Sequence, residues 1–565
     1  MLLLNPRRYA RNHRDPKTRE LLLALIGFFE DKGLSRIKAD DQSAVWYADF
    51  LAFVAEHKVF STLLTPAAEG CAGARWDLWR IEEASEILGF YGLSYWYTWQ
   101  VSILGLGPIW MSSNKELKQK AAAMLEDGGI FAFGLSEKEH GADLYATEMV
   151  LTPEADGSFK AKGHKYYIGN GNKAALVSVF GKRADTGAYV FFTVDTKHPR
   201  YRCTKKIETS GVRQAFVAAF ELDDYPIGAS DILATGDEAW DAALNTVNIG
   251  KYQLGWASIG ICTHAFYEAL GHAAKRVLYG KQVTEFPHVK VLMTDAYARL
   301  CAMKLYALRA CDYLRSAHAD DRRYLLYNPI QKMKVTMEGE KVVELLHQVI
   351  AAKGFEQDTY FEMAIRDVGM LPKLEGTVHV NVALVTKFMQ NFLFHPQPFP
   401  EIPLRDDTSD DAFLFDQGPT KGLGKVQFHD YRASFAGSGH LKNVGIFLEQ
   451  IEALCSLLAE AAPSEAQSKN MDYMLQLGEL FSLIPYGQLI AENGRLYQVD
   501  DALMDEIFRF IVSDFSAYAV RFHCGQRNSA RQDELIRRMI RKPDLDEARA
   551  AKVWDSQVYP LRDAY

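Results

Sequence analysis

The stretch LPKLEGTVHV (371–380) sets a single glutamate, Glu375, between Pro-Lys-Leu and Gly-Thr, ahead of a β-branched, mostly apolar run. A carboxylate placed there loses hydration, and only Lys373 among its sequence neighbours offsets the loss. Two readings stay open at this level: a surface glutamate at a helix start, or a carboxylate whose discomfort is its purpose. A second segment, FGLSEKEHGAD (133–143), brings Ser136 and a run of small residues. Hydroxyl and main-chain donors in such a run can approach a planar or anionic ligand closely. A capped turn before a strand would look the same.

Other chemistry is excluded. No G-x-G-x-x-G follows a strand, so a nicotinamide-type Rossmann site is unsupported. GPTKGLGK (418–425) has one residue too many for a phosphate loop and continues with valine where Ser or Thr would bind magnesium. His264 and His272 lack a metal-ligand pattern, and seven cysteines without a C-x-x-C pair argue against both zinc and a disulfide framework. No metal is therefore predicted. Lys and Arg number 64 against 72 Asp and Glu, with no basic tract, which argues against nucleic acid as a partner. The N-terminal MLLLNPRRYARNHRD is too short an apolar run for a signal peptide, and no stretch reaches the length of an integral membrane segment. The chain reads as cytoplasmic.

These residues need elements to hold them. Residues 1–129 read as an N-terminal helical domain, including DPKTRELLLALIGFFEDKG and SNKELKQKAAAMLEDGG. The aromatic segment 89–110 is either a core helix pair or the lining for a long apolar ligand. Residues 130–237 change to β-branched runs closed by Gly, Asn, Asp and Pro, predicting an antiparallel β domain. Helical periodicity returns over 238–394 as a bundle. Residues 395–440 are proline-rich, then acidic, then glycine-rich, predicting a linker tied down at a few aromatics, and 441–565 form an additional helical domain. Blocks of helix, strand and helix make the fold class α+β.

In this order the motifs resemble the acyl-CoA dehydrogenase family, over roughly residues 50–392. SEKEHGAD resembles T-E-P-x-A-G-S-D, GHKYYIGNG (163–171) resembles G-x-K-x-W-I-T-N, and KRVLYGKQV (275–283) resembles the R-x-x-F-G segment. QVIAAKGF (348–355) resembles Q-x-x-G-G-x-G-Y, and RDVGMLPKLEGT (366–377) resembles R-D-x-R-x-x-x-I-Y-E-G-T. The resemblance implies a fold of N-terminal helices, middle β domain and C-terminal helical bundle, with FAD as cofactor. The extra C-terminal helices resemble the family's larger members, which favours a homodimer.

The resemblance also implies roles. Glu375 would be the base that removes the pro-R α-proton of an acyl-CoA thioester while the β-hydrogen leaves as hydride to the flavin, and Gly376 would let the chain pass close to the thioester. A carbon-bound proton calls for a carboxylate made more basic by desolvation. Where some family branches carry the base on another helix, this chain has NIGKYQLGWASIGIC (248–262), with no acid. Ser136 stands where a threonine hydroxyl bonds the flavin, and Ala142 where a serine contacts cofactor or thioester arm. Arg276 and Gln348 would hold the FAD pyrophosphate and adenosine side across a subunit interface. Leu135, Gly141, Ile168, Tyr279, Ala352 and Thr377 complete the implied cofactor set, and Asn248 and Lys251 fall where an Asp and an Arg hold the CoA arm.

Departures are specific. Tyr167 replaces the tryptophan that packs on the flavin and helps receive an electron-transfer flavoprotein, and Gly169 replaces the threonine that bonds flavin N5. Ala351 and Ala352 replace a glycine pair, Gly369 the second arginine of its segment, and Leu374 the tyrosine before the base. His140-Gly141 and Gly169 resemble the related acyl-CoA oxidases. The expectation is FAD-dependent α,β-dehydrogenation of a medium-to-long fatty acyl-CoA. The alternatives are an oxidase that passes electrons to oxygen and a non-catalytic acyl-CoA-binding or scaffold member.

Overall fold

The computed structural model describes residues 2–9 and 15–565. Residue 1 and residues 10–14, part of the N-terminal stretch read above, lie outside it. Seven helices from Pro16–Lys32 to Lys115–Glu126 form the first block. At its centre, Leu78–Tyr91 is capped by Asp77, which accepts the Trp79 N–H at 3.2 Å. The next helix, Leu93–Met111, is buried from Leu93 through Trp110, the fate of a helix apolar on every face. We call it the aromatic helix.

Eight strands follow: β1 (Phe131–Gly134), β2 (Val150–Pro153), β3 (Phe159–Gly169), β4 (Leu176–Arg183), β5 (Tyr189–Val194), β6 (Tyr201–Lys206), β7 (Val217–Ile227) and β8 (Ile232–Thr235). They run in the order β6-β7-β3-β2-β4-β5-β8, with β1 also on β4. The expected antiparallel pattern holds for most pairs, but β1–β4 and β2–β4 are parallel. The first strand is tied in at Phe131. Ser102 of the aromatic helix accepts the Phe131 N–H, and Asn170 donates to the Phe131 carbonyl at 3.0 Å, which fixes how β1 enters.

Behind the sheet stand three long helices, Asp237–Lys275, Pro287–Arg315 and Tyr324–Ile350. The 39-residue helix Asp237–Lys275, here the long helix, crosses Leu78–Tyr91 at backbone contact: a Cβ built on Gly260 would run into the Glu86 carbonyl oxygen.

Residues 395–440 run as extended chain with short 3-10 turns at Ala412–Phe415, Leu423–Lys425 and Tyr431–Phe435. Leu414, Phe428, Tyr431 and Phe435 are buried. The segment straps distant parts together. Asp410 and Asp411 accept the main-chain N–H groups of Trp76 (2.7 Å) and Leu78 (2.8 Å), and Asp411 pairs with Arg315 at 3.1 Å.

The additional C-terminal helices dock through buried charge. Glu492, on the helix Met471–Leu496, accepts from Arg309 (2.8 Å), Ser434 (2.8 Å) and Gln488 (3.0 Å). Burial opposes its ionisation, but the His429 hydrogen bond and the Arg309 charge outweigh that and hold the carboxyl well below the usual carboxylate range. Glu492→Ala breaks a buried ion pair and leaves Arg309 only Asp312 as carboxylate partner, so a loss of about 3 kcal/mol is expected, read as a lower urea midpoint.

Candidate active site

Glu375 sits in a turn, not in a helix. Its φ is +51° and that of Gly376 is +85°, two successive left-handed residues before Thr377 caps the helix Val378–Val385. A glutamate held there stores backbone strain, a pattern found at functional sites. The residue as a whole is half-buried, but its Oε2 atom is buried with no hydrogen-bond partner. Oε1 accepts from Gln100 of the aromatic helix at 2.5 Å, and the same Gln100 amide donates to the Gly250 carbonyl at 2.8 Å. A Cβ on Gly250 would lie 2.8 Å from Oε2, so only glycine lets the carboxylate rest on the long helix.

Two lysines flank the turn. Lys332, on Tyr324–Ile350, donates to the carbonyls of Pro372 (2.6 Å) and Gly376. Lys251, on the long helix, donates to Asn381 at 3.3 Å. Burial pushes the Glu375 carboxyl up to about 7, and the Gln100 hydrogen bond and the charges of Lys332 and Lys251 keep it from rising further. Burial pushes the lysines down, Lys251 to about 8 and Lys332 to about 7. The carboxylate is thus poised to exchange a proton near neutrality, as a general base requires. A surface glutamate at a helix start does not describe it.

Tyr97, one turn before Gln100, is buried and feels the Glu375 charge. It also explains Gly169. A Cβ at 169 would meet Tyr97 Cε1 at 2.7 Å and Val101 Cγ2 at 2.6 Å, so the aromatic helix fills the space a threonine side chain would need. Next to it, a register shift in the β3–β7 pairing and a φ of +63° turn Tyr167 outward, 61% exposed. Ile168 is buried beneath.

The Leu135–Met149 loop is held against this strand. Tyr166 N–H donates to the Ser136 carbonyl at 3.0 Å, and buried Glu137 accepts from Lys165 (2.7 Å), Thr147 (2.5 Å) and the Glu148 N–H (2.8 Å). Glu137, His140 and Glu148 bring ligand-type atoms within 4.8 Å of one another, but Lys165 already occupies a cation's place on Glu137. Leu135 and Ser136 are half-buried, and Gly141, Ala142 and Thr377 exposed.

The structure separates the remaining candidates. Arg276 closes the long helix and Gln348 lies near the end of Tyr324–Ile350, where Ala351 (φ +55°) and Ala352 turn the chain. Burial lowers the pKa of His272, and the nearby charges of Arg276 and Lys353 lower it further, so the two helix ends converge at one corner. Arg276, Tyr279 and Gln348 are exposed there, and among the described residues their side chains make no hydrogen bond. Asn248 is instead covered: its amide donates to Gln417 of the strap at 2.9 Å. Lys251 joins the Glu375 cluster.

The outward Tyr167 ring and the open space around Gly141 would suit a flavin ring, and the uncommitted Arg276, at a separate corner, would suit a diphosphate.

Two family models match the chain: the acyl-CoA dehydrogenase middle domain over residues 132–225 and the acyl-CoA dehydrogenase C-terminal domain over residues 237–390. The short-chain specific acyl-CoA dehydrogenase of Megasphaera elsdenii is 22% identical over 280 residues, 49% of this chain and 72% of that protein. A 3-(aryl)acrylate reductase of Clostridium sporogenes is 22% identical over 383 residues, 65% of this chain and 97% of that one. The structure of butyryl-CoA dehydrogenase from Megasphaera elsdenii superposes with a TM-score of 0.62 at 19% identity, covering 66% of this chain and 98% of its own. That of an acyl-CoA dehydrogenase complexed with FAD from Bacillus anthracis reaches 0.75 at 16% identity, covering 98% and 96%. The second likeness extends through the additional C-terminal helices.

Proposed function

Because the chain belongs to the acyl-CoA dehydrogenase family of FAD-dependent oxidoreductases, we propose that it dehydrogenates an acyl-CoA thioester between its α and β carbons, with Glu375 as the base. The observation that carries this is the buried, partnerless Oε2 atom, held in a left-handed turn and next to two lysines. Bound FAD supplies the acceptor for the β-hydrogen.

The chain's own residues do the rest. Glu375 Oε2 takes the α-proton, Gln100 fixes the carboxylate's other oxygen, and Lys332 and Lys251 offset part of the burial so that it gives up its proton near neutrality. Tyr97, Gln100 and Leu104 follow one another at helical spacing beside Glu375 and Gly250, so the aromatic helix borders the acyl chain, proposed to be of medium to long length. Ser136, Tyr167 and the Gly141 turn would receive the flavin ring. Arg276, Tyr279 and Gln348 would serve a cofactor shared with a second subunit, which makes the active form a homodimer. Lys251 would contact the CoA arm; Asn248 can do so only if Gln417 releases it. An electron-transfer flavoprotein is the proposed acceptor, docking at the exposed Tyr167 face. Cytoplasmic residence belongs to the same reading, supported by seven unpaired cysteines. No helix among the described residues is long and apolar enough to cross a membrane.

Gly169 favours one second reading, transfer of electrons to oxygen, because no side-chain hydroxyl at that position guards the flavin edge. One experiment addresses both. The purified protein, yellow with FAD, is titrated anaerobically with acyl-CoAs of increasing chain length and then opened to air. Bleaching by saturated thioesters with slow reoxidation is expected. Fast reoxidation would assign the oxidase reading, and a colourless protein that takes up no FAD would overturn both.

A further inference from the structure

The turn that carries Glu375 has no ordinary reason to be stable. Two consecutive residues have positive φ, and one of them is a glutamate, for which that region is strained. Two side chains over-determine the turn: Asn381 donates to the Gly376 carbonyl at 3.1 Å, and Lys332 reaches across the base. The Lys332 ammonium, fully buried, donates to the carbonyls of Pro372 and Gly376, one on each side of the base. Its charge also lies within reach of the carboxylate.

We propose that Lys332 is the positioning residue of the base: its ammonium clamps the two carbonyls that bracket Glu375 and sets its charge beside the carboxylate. The inference rests on the reading of Glu375 as the base. The groups that face Lys332 are few. From the turn come Glu375 and Lys373, and from the long helix Lys251. Tyr97 of the aromatic helix reaches the cluster through Glu375, and Asn381 of Val378–Val385 holds Lys251 and the Gly376 carbonyl. Lys373 is itself bound by Glu340 at 2.7 Å. The cluster therefore holds one carboxyl against two buried lysines, and Lys332 is the one tied to the base's own backbone. Its partners also exclude a mere packing role, since a methionine would fill the same space without bonding either carbonyl.

The sign of the effect follows. Without the ammonium, burial of Glu375 is less opposed, its proton is held more tightly, and the acid limb of activity moves up. Lys332→Met holoenzyme is expected to bleach with acyl-CoA about ten- to hundredfold more slowly, with the acid limb raised by about one pH unit. Flavin content should be unchanged. Lys332→Arg, which keeps the charge, should keep the limb near its wild-type position. Should the methionine variant not fold, Lys332→Gln carries the same test, because it reaches one carbonyl without charge. A variant that melts earlier but shows an unmoved acid limb would overturn the proposal and leave Lys332 a structural tie. Glu375→Gln is run in parallel: if that variant still bleaches at the wild-type rate, the base reading fails, and this inference with it, whatever Lys332 does.

Discussion

Glu375→Gln is expected to slow substrate-dependent flavin bleaching by roughly a thousand- to ten-thousand-fold while leaving FAD content and CoA affinity nearly intact. The substitution is isosteric and removes only the capacity to hold a proton. Wild-type activity should rise with pH through about 7, where burial places the carboxyl, because the protonated form below that pH cannot act as base. The variant should lose this limb altogether. Stability gives an independent sign. A carboxyl whose folded value lies above its ordinary one loses folding stability as pH rises through that window, so the neutral amide should melt no lower than wild type at pH 8. Stopped-flow bleaching and thermal melts at pH 6 and pH 8 read both effects. Turnover near the wild-type rate would remove Glu375 from the reaction.

Gly260→Ala is expected to disturb both the fold and the site. The added methyl would collide with the Glu86 carbonyl and lie 2.7 Å from the Phe90 nitrogen and 3.0 Å from the Gly89 carbonyl carbon. All three are backbone atoms, which cannot rotate aside as a side chain can. The long helix must shift, and Gly250 and Lys251 lie on it within three turns. Overpacking of this kind costs about 1–3 kcal/mol or more. The expected result is a lower melting temperature together with slower bleaching, since the surface beneath Glu375 moves with the helix. Gly445→Ala is the control. It lies inside the helix Lys442–Glu460 with nothing within 4 Å of its added methyl, so it should be neutral or slightly stabilising.

The order of helical, β and helical blocks was legible because each rests on local periodicity, and Glu375 stood out as a candidate base because its flanking residues form a recognisable run. What surrounds the base was not. Gln100 and Glu375 are 275 residues apart, and nothing near Gln100 announces a partner, although one amide in the aromatic run YWYTWQVSILG is a signal that a polar contact waits inside. Lys332 sits in a helical stretch where a lysine reads as surface, yet it is fully buried. Gly169 was read as a lost hydroxyl; the structure adds that Tyr97 and Val101 leave no room for one. The parallel pairing of β1 with β4 depends on contacts with the aromatic helix that strand patterns do not carry. Composition identified 395–440 as a non-helical connection, but Asp410 and Asp411 look like any acidic turn until their partners in the first block are seen.

Those two aspartates bear on how the protein is made. The chain entering the helix Leu78–Tyr91 has its N–H groups satisfied by residues 333 and 334 positions downstream. On a ribosome adding about 5–20 residues each second, that end stays open to water for tens of seconds after it has emerged. During that interval the aromatic helix, apolar on every side, has only part of its final cover. The nascent chain therefore exposes its stickiest segment early and seals it late.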